Sequence, residues 1–260
     1  MTGPAGAADS GTQAALTPSP GAAPWYRMVL SQGVFELRTV LRHGEQLLIT
    51  AILPALFLVV LTRTDIFALP LAPGQQRIDM IAPGVLALAV LSSAFTGPAI
   101  STGFDRRAGA LRLLATTPLG RGGLLAGKVL GVGFVQVLQV VLLAGLAVGL
   151  GWRPPLTGAV LALLPFAAGT AAFTALAMLV AGTLRTEAVL AGANLLWVLM
   201  AIGGGVLVPT GARWLPSAAL GDGLRAAMTM DVAATAFSTV ILVAWAVVAT
   251  AAALRWFRWH

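Results

Sequence analysis

The sequence predicts an all-α membrane protein with six transmembrane helices, and two observations support this fold class. Hydrophobic residues make up 58% of the 260 residues and charged residues only 10%, with a mean hydropathy of +0.91. Soluble domains carry about 25% charged residues, so this chain has too few charges to cover a soluble surface. A helix crosses a bilayer with about 20 apolar residues. Six apolar runs without Asp, Glu, Lys, Arg or His approach or exceed that length, at 47–62, 80–104, 129–151, 158–182, 189–208 and 232–253.

Two elements precede the spans. Residues 1–24 are mostly Ala, Gly, Pro, Ser and Thr with Asp9 as the only charge, which predicts a disordered tail. Residues 25–45 have helical periodicity and predict an amphipathic helix on the cytoplasmic leaflet, rather than a soluble helix that caps a small domain. Its apolar stripe comprises Tyr26, Leu30, Val34, Leu37 and Leu41, and an adjoining face carries Arg27, Arg38, Arg42 and Glu45. Residues 46–260 form the six-span transmembrane domain.

The basic residues predict the orientation of the spans. Six spans place both termini on one side, and that side carries 11 of the 16 Lys and Arg residues, so both termini are expected in the cytoplasm. In a chain this apolar, the net charge of +7 is typical of topology signals and not of nucleic-acid binding. Many Arg and a single Lys, with abundant Ala and Gly, are typical of a GC-rich bacterial genome, which favours a bacterial inner membrane. The five basic residues on the outer side are Arg63, Arg77, Arg153, Arg213 and Arg225.

The composition excludes several chemistries. With no Cys and only two His, the chain offers no thiol nucleophile, disulfide or His-based metal site. Spans without ionisable residues argue against an ion-coupled carrier and against an intramembrane enzyme. Energy for any uphill transport must therefore come from another subunit. Polar span residues, Gln136 and Gln139 above all, either form interhelical hydrogen bonds, which we favour, or contact a substrate.

One nucleotide-binding motif is incomplete. Residues 122–128 fit the first seven positions of GxxxxGK, but Val129 stands where a magnesium-binding hydroxyl is needed. We therefore expect no ATP site here. Gly123, Gly127 and Gly131 instead form a small-residue stripe that allows close helix packing.

The loop after the second span carries a short helix, predicted over 108–116 and stopped by Thr117 and Pro118. Its leucines, Leu111, Leu113 and Leu114, are expected to be exposed and to need either a partner surface or lipid.

This loop resembles that of the ABC type-2 exporter permeases, a family that includes daunorubicin-resistance-like drug exporters. The family has a charged cluster, then Gly-x-Leu-x-x-Leu, a Thr-Pro turn, an Arg and a Gly-Lys, and weaker similarities extend over roughly 25–255. Two features depart from the family pattern. Arg106 and Arg107 in the cluster, and Arg112 after Gly-x-Leu, stand where Glu is usual, and the external segment has Leu220 and Gly221 where aromatic residues are common. The matching residues here are Asp105, Gly109, Leu111, Leu114, Thr117, Pro118, Arg121, Gly127 and Lys128.

The resemblance implies a six-span half-transporter. It would pair with a second, identical or related, permease and with two ATP-binding subunits, which would hold the ATP and magnesium; this chain itself would hold no cofactor. Residues 25–45 and 108–116 would touch those subunits, and 209–231 would form short helices that dip back from outside. The coupling residues would be Gly109, Leu111, Leu113, Leu114, Thr117, Pro118 and Arg121. The candidate substrate path comprises Asn194, Trp197, Gln136 and Gln139, with 203–205 either in the path or a helix kink.

The predicted function is that of the permease of an ATP-driven exporter, and not of an enzyme. An apolar, charge-free lining favours a drug or a lipid-like amphipathic substrate. Three alternatives stay open: export of polysaccharide, export of haem with Met178 or Met200 as ligand, and a non-transporting assembly or immunity protein.

Overall fold

The computed structural model describes residues 23–42, 44–66, 69, 71 and 73–256. Almost all of the predicted N-terminal tail and both histidines lie outside these residues. Every regular element in the described part of the chain is a helix, which confirms the all-α prediction. The helices are α1 (Trp25–Arg42), α2 (Gly44–Arg63), α3 (Arg77–Leu91), α4 (Gly97–Arg107), α5 (Ala110–Ala115), α6 (Gly120–Gly149), α7 (Leu156–Leu161), α8 (Leu163–Thr183), α9 (Thr186–Val198), α10 (Pro216–Met228) and α11 (Val232–Trp256).

Within the described residues, five helical stretches are long and apolar enough to cross a membrane, and they coincide with the last five predicted spans. Within α2, the apolar part over Ala51–Arg63 is shorter than a full span. The chain is thus a multi-pass membrane protein. The five stretches are Arg77–Arg107, Gly120–Gly149, Leu156–Thr183, Thr186–Gly203 and Val232–Trp256.

The fifth span ends earlier than predicted. After α9 the chain makes one π-helical turn over Leu199–Gly203 and then leaves the helix, so the predicted end at 208 is wrong. Gly205 has φ +67°, a left-handed conformation that glycine adopts without steric cost. Pro209, a few residues further on, has no N–H for a helix.

The second span also contains a π-helical turn, over Ser92–Thr96, which joins α3 to α4. Ser92 and Ser93 donate hydrogen bonds to the carbonyl oxygens of Leu88 and Ala89, both at 2.8 Å. Pro98 has no N–H, so it cannot continue the α-helical ladder. These side-chain bonds and the missing donor favour a local widening of the helix here.

The α3–α4 span is the most buried of the five, and α9 is the least buried. The central cluster packs α3 and the π turn against α8, α10 and α11, through Leu88, Leu91, Phe95, Phe173, Leu220 and Leu242. The predicted short helices over 209–231 are a single helix, α10, which is almost fully buried against α11, α3 and α8.

Candidate coupling site

Helix α1 lies on the first half of α6, and glycines allow the two helices to approach closely. A Cβ atom added to Gly127 would lie 2.7 Å from Gln32 Cβ, and one added to Gly131 would lie 2.5 Å from Glu36 Cβ. Gly33 faces α6 in return, since a Cβ there would meet Leu130 Cβ at 3.1 Å. The predicted small-residue stripe is therefore a helix-packing surface, and the helix that packs on it is α1.

The face of α1 that contacts the protein differs from the apolar stripe in the sequence. Val29, Gln32 and Gly33 are buried, and they form the packing face. The predicted stripe is largely exposed: Tyr26, Leu30, Val34 and Leu41 face away from α6, whereas Leu37 is half-buried. Arg38 and Arg42 are exposed as well.

A buried ion-pair cluster joins α1, α4 and α6. The Lys128 side chain is only 2% exposed, and its Nζ lies 2.8 Å from Glu36 Oε1 and 3.7 Å from Asp105 Oδ2. Gln32 Nε2 donates to the same Glu36 oxygen at 3.0 Å. A buried ammonium needs such partners, because a charge without them is strongly destabilising.

This cluster was not predicted from the sequence. Lys128 counted as a topology signal and as a family motif residue, and Glu36 was not singled out. Two signals were available: Lys128 is the single lysine of the chain, and Glu36 is the single acidic residue of α1.

Helix α5 lies between Asp105 and Lys128 in the sequence, and some of the predicted coupling residues in and around it are exposed on the surface of the bundle. Gly109 precedes α5 with φ +77°, a left-handed conformation that favours glycine. Leu113 is 74% exposed, and Leu114 is half-buried. Leu111 is fully buried among Val29, Leu124 and Met178, so the expectation that it is exposed to a partner is wrong. Its apolar side chain anchors α5 to the bundle.

The residues after α5 complete the turn into α6. Thr117 and Pro118 are exposed, and the Thr117 hydroxyl donates to the carbonyl of Leu114 at 2.6 Å. Arg121 Nη1 donates to the Leu254 carbonyl at 2.8 Å, which ties the start of α6 to the end of α11.

Arg106 and Arg107, which depart from the family pattern, make contacts inside the chain. Arg106 donates a hydrogen bond to the carbonyl of Leu184. Arg107 Nη1 lies 3.8 Å from Glu187 Oε1, and the side chains of this ion pair are exposed. Arg106 and Arg107 therefore connect the end of α4 to the start of α9.

The polar span residues fall into two groups. Gln136 and Gln139 are buried in the protein interior. Gln136 donates to Ser93 Oγ at 3.1 Å and accepts from Thr170 Oγ1 at 2.5 Å, so it makes the interhelical hydrogen bonds that we favoured. Asn194 is exposed on the outer face of α9, and Trp197 Nε1 donates to Ser92 Oγ at 3.0 Å. Of the four candidate path residues, Asn194 is thus the one that is exposed on the surface of the bundle.

The opposite end of the bundle is held by Arg225 of α10. It donates to the carbonyls of Val206 and Gly205 at 2.9 and 3.0 Å and to Asp222 Oδ1 at 2.9 Å. Burial lowers the pKa of the Arg225 guanidinium, and Asp222 counteracts this by favouring the charged form. Close contact of Gly204 with Ser217 favours the packing interpretation of residues 203–205.

Two comparisons with known proteins bear on the chain. The model of a family described as ABC-2 family transporter protein matches residues 45–255, which is most of the sequence. A search of curated proteins gave no match.

Proposed function

The chain belongs to the ABC-2 family of transporter proteins, and from this membership we propose that it is the permease of an ATP-driven exporter. The observation that supports this proposal most strongly is the family match over 45–255, together with the five membrane-length apolar helices in the described part of the chain. The family's permease is the transmembrane subunit and not the ATPase. Export from the cytoplasm, efflux of several drugs or lipid-like compounds, and a bacterial inner-membrane location with cytoplasmic termini are part of the proposal.

The energy would come from two copies of a separate ATP-binding subunit that hold ATP and magnesium. Lys128, the lysine of the incomplete GxxxxGK motif, lies within α6 and its ammonium is bound by Glu36 and Asp105. It is therefore engaged by carboxylates and not presented to a phosphate. This arrangement supports a partner as the site of ATP hydrolysis.

The contact with that partner would centre on α5. Leu113 of α5 is exposed, and Thr117 and Pro118, which follow α5, are exposed as well. An exposed leucine on a short polar-flanked helix favours insertion into an apolar pocket of another protein. Buried Leu111 would pass any push on α5 to the cluster with Val29 and Met178.

A second permease copy, or a related permease, would pack against α9. The stretch Thr186–Gly203, which comprises α9 and the π turn after it, is the least buried membrane-length stretch, and it exposes Leu195, Leu199 and Ile202. The substrate path would run along this interface, with Asn194 as its polar contact. An apolar surface with one amide suits an amphipathic compound better than a polysaccharide. Haem ligation by Met178 is disfavoured, because its sulfur is buried and accepts a hydrogen bond from Thr102 at 3.6 Å.

Co-purification from the native membrane tests the proposal. The tagged chain should bring down a stoichiometric ATP-binding subunit, and Leu113→Asp should release that subunit while the permease remains folded. Leu156→Asp is the matched control, since Leu156 is 82% exposed at the opposite end of the bundle. Recovery of the permease alone, even after crosslinking in intact cells, would favour a non-transporting membrane protein.

A further inference from the structure

Helix α1 presents three chemically different faces. With about 100° per residue, the packing face is centred on Val29, and the exposed apolar stripe lies about a quarter turn away. A basic face follows on the side opposite α6, and its members are Arg27, Arg38 and Arg42, all exposed. The guanidinium carbon of Arg27 lies 6.0 Å from the ring centre of its neighbour Tyr26.

The single acidic residue of α1 is turned away from the basic face. Glu36 lies on the packing side, where Lys128 Nζ holds it at 2.8 Å. The exposed side of α1 therefore carries three positive charges with no acid of the same helix among them. On a solvated helix, basic side chains are stabilised by acidic side chains three or four residues away. The exposed side of α1 has no such acidic residue, which favours an anionic partner for its three arginines.

We propose that the exposed side of α1 is a binding surface for anionic phospholipid headgroups. The apolar stripe adjoins the basic face along the helix, an order that suits a helix lying in the plane of a bilayer interface. Helix α1 is packed on α6, a membrane-length helix, so the surface lies next to the bilayer. Arg27 and Arg42 are about 22 Å apart along the axis, which allows several headgroups to bind at once.

An acidic surface of another protein is the competing partner. The stripe argues for lipid, because Leu30, Val34 and Leu41 are each between 39% and 48% exposed and line one edge of the basic face. The proposal requires only that the chain lies in a membrane, and it is independent of the proposed export function.

Lipid selectivity of the full chain, reconstituted in phosphatidylcholine vesicles, tests the proposal. Electron paramagnetic resonance would compare how strongly the protein immobilises spin-labelled phosphatidylglycerol and spin-labelled phosphatidylcholine. Each arginine at an anionic surface contributes up to about a fivefold preference. The preference for phosphatidylglycerol should be strong in the wild type at low salt, and it should fall severalfold in the triple variant R27Q/R38Q/R42Q.

Two control variants separate a headgroup surface from general charge and from damage to the fold. The first removes three exposed arginines from the opposite end of the bundle and should lower the preference much less than R27Q/R38Q/R42Q does: R63Q/R153Q/R213Q. The second keeps the charge of the basic face and should retain the preference: R27K/R38K/R42K.

Three results would overturn the proposal. The preference could be absent in the wild type, fall equally in the opposite-end control, or survive in R27Q/R38Q/R42Q. If it survived there while a co-purifying ATP-binding subunit was lost, the basic face would be a protein interface instead. If the preference fell as expected and no such subunit ever co-purified, the lipid surface would stand and the export proposal would fail.

Discussion

Removal of both carboxylates around Lys128 should destabilise the protein far more than removal of either one. The Lys128 ammonium is 2% exposed, with Glu36 at 2.8 Å and Asp105 at 3.7 Å. In E36Q/D105N the ammonium would stay buried without a counter-charge, and such a loss costs about 3–5 kcal/mol. In a chain of this size that corresponds to a fall of roughly 10 °C in the unfolding midpoint.

The single variants should rank by geometry. D105N should cost at most about 1 kcal/mol, because Asp105 is the more distant partner and its side chain is 46% exposed. E36Q should be intermediate, since Asp105 would remain as counter-charge. The triple variant E36Q/D105N/K128M should recover most of the loss, because an apolar side chain of similar length removes the buried charge.

Thermal unfolding of the purified chain in one detergent, followed by tryptophan fluorescence, measures all four variants. Recovery on adding K128M is the decisive comparison, since it separates an unpaired charge from a loss of packing. If E36Q/D105N were no less stable than D105N, or if K128M brought no recovery, the buried charge cluster would not stabilise the fold as argued.

Three further predictions concern other contacts. Gly127→Ala should lower stability by about 1–3 kcal/mol, because the added Cβ would overlap with α1. Gly133→Ala, where the Cβ would meet nothing, should instead stabilise α6 by up to about 1 kcal/mol. Thermal unfolding measures both variants, and equal unfolding midpoints would contradict the packing of α1. Trp197→Phe should cost about 0.5–1.5 kcal/mol more in the wild type than in a Ser92→Ala background, so a double-mutant cycle that showed no coupling would contradict the hydrogen bond. Arg225→Gln should lower stability by about 3 kcal/mol, since the buried carbonyls of Val206 and Gly205 lose a charged donor. Proteolysis of the segment between α9 and α10 should also become faster, and an unchanged cleavage rate would show that Arg225 does not hold this segment.

Composition and hydrophobic periodicity were sufficient for the helical class and for the last five membrane-length helices. Both signals are local: a run without charges specifies a span whichever helix it packs against. The glycine stripe of α6 was also readable, because small residues four apart lie on one face of a helix. That α1 packs on this stripe could not be predicted, since the sequence does not specify which helix packs against a small-residue face.

The missed features depend on contacts between distant segments. Glu36 and Lys128 are 92 residues apart, and no local pattern links them. The packing face of α1 is built from Gln32 and Gly33 beside Val29, so its periodicity is not hydrophobic. The apolar stripe was correctly recognised as a stripe, but it lies on the exposed side. Leu111 and Leu113 differ in burial for the same reason: both are leucines, and only the tertiary fold separates them.

The contacts of the second span with its neighbouring helices indicate which helices a displacement of α5 would move. Lys128 joins the end of α4 to α1 and α6, and the glycine contacts hold α1 on α6 without a gap. These elements should therefore move together as one body. By contrast, α9 is the least buried span, and its links to the second span include the Trp197–Ser92 hydrogen bond and the exposed Arg107–Glu187 pair. The Ser92–Thr96 π turn begins at the first of these links and precedes the second along the chain, and π turns are frequent at functional sites. If α5 receives the push of a partner subunit, as the proposed function requires, the second span should bend at this turn and shift the exposed surface of α9.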